Sequence, residues 1–287
     1  MKPRIKDILP VMCLIVATML VLCMASANSS KTTVTVTEYT VETESSQPLR
    51  IVQLTDLHGW EFGEDNQDLV ELVIAQEPDL ILMTGDMLDK SDEDAAVVCA
   101  LIEELCACAP VYYGYGNHET SWMGQHGMDL KPVLTEAGAT VLDVEYLDVE
   151  INGQELRLGG YHGYYRQPGM LGVSQAQYAA EIAFADDFEN TDRYKILLCH
   201  IPTAWLDWGY IDKYPVDLVL TGHYHGGQIR LPLVGGLYAP YIGWFPEYTE
   251  GLYFGEMATC VLSVGLGASP GIPRIFNLPQ MIVIDLK

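Results

Sequence analysis

Basic residues are scarce in this chain: 15 Lys and Arg stand against 39 Asp and Glu, for a formal net charge of -24. A field of that sign repels polyanions at long range, so a nucleic acid polymer is not expected as a partner. Small anionic substrates stay compatible, because divalent cations held in a cleft reverse the sign locally. Acidity also serves solubility alone, so it excludes more than it assigns.

A disulfide framework is missing too. Of the seven cysteines, Cys13 and Cys23 lie in an N-terminal apolar segment, which leaves Cys99, Cys106, Cys108, Cys199 and Cys260 with no Cys-x-x-Cys pair. An odd set without recognisable spacing predicts free thiols, buried by default. Gly/Ser-rich or Pro-rich linkers and internal repeats are likewise absent, so residues 28–287 read as one domain. With 49% hydrophobic residues it has ample material for a large core.

Residues 1–27 differ from the rest. Lys2, Arg4 and Lys6 precede an uncharged run from Ile8 to Ala27. The run exceeds the roughly 7 to 15 residues of a signal-peptide core and just reaches the roughly 20 that span a bilayer, which slightly favours an anchor. Ala25-Ser26-Ala27 nevertheless suits signal peptidase, leaving cleavage open. Either way the positive-inside bias places the domain outside the cytoplasm, at the cell membrane or secreted if cleaved. Cys23 follows Leu22 instead of a small residue, which argues against lipid attachment there.

Periodicity sketches an α/β domain. Thr33 to Val41, Leu49 to Leu54, Leu80 to Met83 and Val111 to Tyr113 read as strands. Helices are expected over Gln67 to Ala75, from a Ser91/Asp94 capping pair through Leu105, and over Asp129 to Ala137 ahead of Gly138. Tyr146 to Ile151 and Glu155 to Leu158, joined by Asn152-Gly153, form a hairpin signal. A helix over Ser174 to Phe184 follows, then strands at Lys195 to Cys199, Val216 to Leu220, Gln228 to Leu231, Ala258 to Val264 and Met281 to Leu286. Early β-α alternation with later hairpins predicts mixed sheets with helices outside.

Five of these strands end alike, each with a metal-binding type of side chain just past its last apolar residue. The endings are Asp56-Leu57-His58, Gly85-Asp86, Gly116-Asn117-His118-Glu119, His200 and Gly222-His223-Tyr224-His225-Gly226-Gly227-Gln228. Ligands of open α/β sheets bind at the carboxyl ends of strands, so loops distant in sequence converge there. Imidazole and oxygen donors together suit Mn, Fe or Zn. Singly, each block has a bland reading: Gly-Asp as a turn, His200 as a satisfied core residue. In this order chance explains the set poorly.

The blocks resemble the calcineurin-like metallophosphoesterase family, whose pattern runs Asp-x-His, Gly-Asp, Gly-Asn-His-Asp/Glu, His and Gly-His-x-His. The resemblance covers roughly Arg50 to Leu286. Gly222 to Gln228 with Leu231-Pro232, and Gly265-Leu266-Gly267 with Ile272-Pro273-Arg274, are similar to the bacterial membrane-associated YkuE/YaeI-like phosphodiesterase branch. It implies a four-layer αββα sandwich of two mixed β-sheets. It also implies two divalent metal ions (Mn, Fe or Zn): Asp56, His58 and His225 on one, Asn117, His200 and His223 on the other, with Asp86 bridging. Cations about 3.5 to 4 Å apart need such a shared carboxylate, and they hold a bridging hydroxide as nucleophile. His118 is implied as the catalytic residue that protonates the leaving oxygen or stabilises its charge.

The function implied is hydrolysis of a phosphodiester or phosphomonoester, with a lipid or cell-envelope molecule as one expected substrate. Alternatives are a pyrophosphatase acting on a nucleotide-sugar or lipid-linked diphosphate, and a catalytically degenerate binding or sensing protein. Gly160-Tyr161-His162-Gly163 replaces the branch's usual acidic pair, and Val264 stands where a basic residue is usual. Both departures bear on substrate choice. His126 and His162 are expected as loop or surface histidines, Arg230 and Arg274 as surface ion pairs in preference to ligands of a phosphate oxygen, and the aromatic stretch from Tyr238 to Phe254 as a packed cover in preference to a greasy lip.

Overall fold

Side-chain alternation decides how the layers stack. In the computed structural model, which describes residues 5–43, 48–167, 174–268 and 271–287, helix α1 (Ile5–Ser29) precedes an alternating run. That run comprises β1 (Thr35–Val41), β2 (Leu49–Leu54), α2 (Gln67–Ile74), β3 (Leu80–Met83), α3 (Ala96–Cys106), β4 (Val111–Gly114), α4 (Asn117–His126), α5 (Leu130–Glu136) and β5 (Thr140–Leu142). Then come β6 (Glu145–Ile151), β7 (Gln154–Tyr161), α6 (Gln175–Glu189), β8 (Tyr194–Cys199), β9 (Leu218–Thr221), β10 (Gly251–Phe254), β11 (Thr259–Leu262) and β12 (Gln280–Leu286). Lys2 and Arg4 lie outside the described residues.

Two six-stranded mixed sheets result, ordered β1-β12-β2-β3-β4-β5 and β10-β11-β9-β8-β7-β6. Strands β2 to β5 run parallel, as do β7, β8, β9 and β11. Successive residues serve opposite faces. Ile51, Leu80, Leu82, Ile196, Leu198, Leu218, Leu220 and Ile284 meet in the layer between the sheets. Their neighbours Val52, Ile81, Met83 and Val111 pack outward against α2, α3 and α5. Leu197 and Val219 pack against Phe184 and Phe188 of α6. The four-layer expectation therefore holds, and truncating a residue of the central layer would cost about 2–5 kcal/mol.

The hairpin signal is borne out: Ile151 pairs with Gln154 across Asn152 and Gly153, both at positive φ as a primed turn requires. The capping expectation needs correction. Asp94 Oδ1 accepts the Ala96 N–H at 2.9 Å and starts α3, whereas Ser91 turns back to donate to Asp89 Oδ1 at 2.5 Å. Gln228 to Leu231 contributes only a two-residue strand, Arg230–Leu231. Helix α4 escaped the sequence pattern because only Glu119 and Trp122 of its ten residues are buried. Of the thiols, Cys199 and Cys260 are buried, Cys99 and Cys106 half-buried, and Cys108 exposed, so the uniform expectation fails for the last three.

Candidate metal centre

Asp56, Asp86, Asn117, His200 and His223 each stand one to three residues beyond β2, β3, β4, β8 and β9. Because those strands run parallel within each sheet, their carboxyl ends face one edge of the sandwich, and all seven candidate ligands lie along it. Asp56 Oδ1 lies 3.5 Å from His225 Nε2 and 3.9 Å from His58 Nε2, and those two nitrogens are 3.3 Å apart. Two ring nitrogens so close, beside a carboxylate, suit lone pairs converging on one cation. Asp86, His200 and His223 form a second group of ligand atoms within 4.8 Å of one another, and Asp86 belongs also to a third with His58 and His118. Asp86 thus faces both candidate sites.

Hydrogen bonds orient these groups. His200 Nδ1 donates to the Thr84 carbonyl at 2.8 Å, which fixes the ring and aims Nε2 at Asp86 Oδ2, 3.0 Å away, where Nε2 holds a proton until a cation displaces it. Asp56 accepts from the His223 N–H at 3.1 Å and from Thr55 Oγ1 at 2.9 Å. His223 Nε2, His225 Nδ1 and Asn117 Oδ1 are buried with no protein partner among the described residues. Buried polar atoms left this way are unfavourable without a ligand, so the donor set fits divalent cations.

The electrostatics agree. Burial pushes the His223 imidazole down to about 3, helped by the charge at His200, and takes His225 well below its ordinary value. Both present neutral lone pairs. For His200, burial is outweighed by the Asp86 and Asp56 carboxylates, which raise it to about 10. Burial likewise opposes ionisation of Asp86, yet His200 and the neighbouring histidines hold its carboxyl far below the usual range. Positive charge is therefore stabilised at this spot.

The chain's match to known families agrees with this geometry. Residues 49–227 match the model of the calcineurin-like phosphoesterases. The chain belongs to the calcineurin-like phosphoesterase family. It is 31% identical to the uncharacterized metallophosphoesterase YkuE of Bacillus subtilis, over 83% of this chain and 79% of that protein. To the phosphodiesterase YaeI of Escherichia coli it is 28% identical, over 85% and 84% respectively. A solved 5'-nucleotidase precursor from Thermus thermophilus aligns at 15% identity and TM-score 0.46, covering 77% of this chain and 49% of that one. The protein is a metal-dependent phosphoric ester hydrolase.

In this calcineurin-like phosphoesterase the loops that carry the candidate ligands are locally strained. Asp56, His58, Asp86, His223 and His225 all take φ between 47° and 68°, a region that non-glycine residues rarely visit and that collects at functional sites. Gly85, at φ 86°, is needed because a Cβ there would lie 2.3 Å from the Gly116 nitrogen. Glu119 ties these loops together. Its carboxylate accepts the backbone N–H groups of Asp86 (2.8 Å), Met87 (2.9 Å) and Gly116 (2.8 Å), and the Tyr113 hydroxyl (2.6 Å).

His118 stands beside the metal groups, with Nε2 4.0 Å from Asp86 Oδ2. Its Nδ1 faces the Lys90 N–H at 3.1 Å and Asp89 Oδ2 at 3.1 Å. The neutral ring accepts from Lys90 on Nδ1 and keeps its proton on Nε2, whereas the protonated ring gives up that bond and donates from Nδ1 to Asp89 instead. Burial lowers the His118 pKa against the pull of Asp86 and Asp89. Asp89 also lies 3.6 Å from His58 Nδ1, too far for a good hydrogen bond but close enough to favour that ring's orientation. Sequence reasoning missed Asp89, and its only signal was its place three residues after Asp86.

A cavity of about 430 Å³ opens beside His58 and Asp89, with Trp60, Lys31, Asp92 and Arg274 in its lining. Arg274 overturns the surface ion-pair expectation. It is buried, its Nε and Nη2 donate to the Gly267 and Val264 carbonyls at 2.6 and 2.5 Å, and Nη1 has no partner among the described residues. Burial lowers its pKa to about 10, which leaves it cationic. Arg230 does pair with a surface acid, Glu250, at 2.6 Å. His126 caps its own helix against the Trp122 carbonyl, and His162 meets Asp143 Oδ1 at 2.8 Å; neither joins the metal groups. The aromatic stretch corrects the packed-cover expectation in part: Tyr248 and Tyr253 pack inward, but Tyr241 and Trp244 are 70% and 68% exposed.

Proposed function

We propose that this protein hydrolyses a phosphodiester or phosphomonoester at a pair of divalent cations. Asp56, His58 and His225 would hold one cation, and Asn117, His200 and His223 the other. The observation that carries this reading is the position of Asp86, which shares ligand-range groupings with His58 on one side and with His200 and His223 on the other. Bound as a pair, such cations supply Lewis-acid activation of the phosphoryl oxygen and water acidic enough to attack near neutral pH. Manganese, iron and zinc suit these donors.

The chain's own residues then have distinct tasks. His118 delivers the proton on Nε2 to the leaving oxygen, and Asp89 compensates the charge of its doubly protonated ring. Arg274 directs its spare Nη1 N–H groups to a non-bridging phosphate oxygen, which its planar fork suits. The test begins with elemental analysis of the purified chain. Chelation should abolish hydrolysis of bis(p-nitrophenyl) phosphate, and Mn, Fe or Zn should restore it. Full activity after exhaustive chelation, or no turnover of any mono-, di- or pyrophosphate ester by the loaded protein, would overturn the reading, and product analysis separates ester from diphosphate cleavage.

The domain is proposed to face away from the cytoplasm, held by α1. Pro10–Ser29 is a 20-residue span of mean hydropathy 2.3 with no buried residue in its apolar stretch, touching the domain only near its end at Ser26 and Ala27, and Lys2, Arg4 and Lys6 precede it. Protease added to wall-free intact cells should digest the domain. Protection under conditions that cleave a known outer-face protein would refute this orientation, and a mature terminus at Asn28 would show that the segment is removed.

A further inference from the structure

Apolar side chains that a folded surface ordinarily hides gather here around one end of the molecule. Where α1 meets the domain, Ser26 Oγ accepts the Phe276 N–H at 2.6 Å and Trp60 Nε1 donates to the Lys31 carbonyl at 3.1 Å. Trp60, Ile272 and Phe276 are all exposed beside this junction. Next to Phe276, the Ile275 carbonyl accepts the Arg230 N–H at 2.9 Å, and Arg230 begins a short hairpin pairing Arg230–Leu231 with Gly235–Gly236. At its tip Leu233 is fully exposed and Val234 is 60% exposed. A second hairpin, Tyr238–Ala239 with Gly243–Trp244, is laced to the first: the Leu237 N–H donates to the Ile229 carbonyl at 2.8 Å, and the Phe245 N–H to the Leu237 carbonyl at 2.9 Å. It adds exposed Tyr238, Trp244 and Phe245 to the same rim.

Charge sets this rim apart. In a chain with 39 acidic residues, none occurs between Asp217 and Glu247 or between Glu256 and Asp285, the two stretches that supply all of it except Trp60. The metal centre lies at this end as well. Tyr241, on the second hairpin, stacks on the His223 ring with centroids 5.5 Å apart, and the cavity beside His58 is lined by Ala27, Ser30 and Lys31 from the end of α1 and the residues just after it. An exposed apolar patch of this kind marks an interaction surface. Aromatic residues at the end of a bilayer-length apolar helix belong at the headgroup level.

We propose that this rim rests on the lipid bilayer that takes α1, so that the metal cleft opens among the headgroups and acts on phosphoesters carried there by lipids. The substrate part rests on the phosphoesterase reading, whereas the docking part does not. The full chain is reconstituted in vesicles of phosphatidylcholine brominated along its acyl chains, and tryptophan emission is read. Of the three tryptophans that every sample keeps, Trp122 and Trp205 are buried and Trp208 is half-buried against Tyr164, so together they form a background common to wild type and variants. Wild-type emission should be quenched in part, W244F should lose part of that quenching, and W60F/W244F should lose most of it. Both positions are exposed, and because Trp60 lines the cavity beside His58 the folds of the variants are checked by circular dichroism and thermal unfolding, while hydrolysis of soluble bis(p-nitrophenyl) phosphate is read on the wild type in the same vesicles. An unquenched wild type, or an equal quenched fraction in wild type and double variant, overturns the proposal. So does cross-linking through the rim to a second copy with Trp244 unquenched. Failure on the soluble diester with quenching intact would count against the phosphoesterase reading alone.

Discussion

Asp86→Ala should lower metal occupancy at both positions and reduce kcat/KM on a phosphodiester by about 1,000-fold or more, since the metals contribute several kcal/mol of transition-state stabilisation. The reason is its position, within ligand range of His58 on one side and of His200 and His223 on the other. Buried between them, one carboxylate would neutralise two cations, and among the described residues Asp86 is the acid that belongs to two of the ligand-range groupings. His58→Ala, by contrast, should chiefly empty one position. Elemental analysis of the two variants against wild type checks this. Two metals per chain and normal activity in Asp86→Ala would show that the shared-ligand assignment is wrong.

His118→Ala should leave metal content largely intact and slow esters with poor, alkoxide-like leaving groups by roughly 100- to 10,000-fold, the usual range for general acid catalysis. Activated aryl esters leave as stable anions and need little protonation, so their deficit should be smaller. Asp89→Asn removes the carboxylate 3.1 Å from His118 Nδ1 and should reproduce part of the effect, about 10- to 100-fold, as expected of a supporting partner. The measurement is a plot of log kcat/KM against leaving-group pKa for wild type and both variants. Equal losses at every leaving group, with metals in place, would assign His118 to binding or charge stabilisation instead.

The order of strands and helices was legible from apolar runs and β-α alternation, while the four-layer stacking was implied by the family resemblance and agrees with those runs. Ile51 and Val52, or Leu197 and Leu198, could face two apolar layers only if sheets were covered on both sides. The blocks at strand ends were legible because donor types followed apolar runs, and parallel strands bring such ends together. What escaped had no pattern to show. Helix α4 buries too little to display a period, and β5 is only three residues long. Asp89 is one acid among 39 and earns its place only through the fold of the loop after β3. Arg274 looked like a surface cation, yet the turn at Val264 to Gly267 aims two carbonyls at it and draws it inside. The outward apolar residues of the two hairpins were equally hidden, since a two-residue strand has no periodicity from which to tell in from out.

The Glu119 knot bears on how this protein can be re-engineered. One side chain from the start of α4 fastens the loop that follows β3, so the stretch from Gly85 to Met87 and the stretch from Tyr113 to Glu119 behave as a single inherited module. A chimera that grafts either stretch from a relative without the other would put mismatched geometry behind Asp86, even with every ligand letter preserved. Transplanting the two together is the exchange that respects how the site is built.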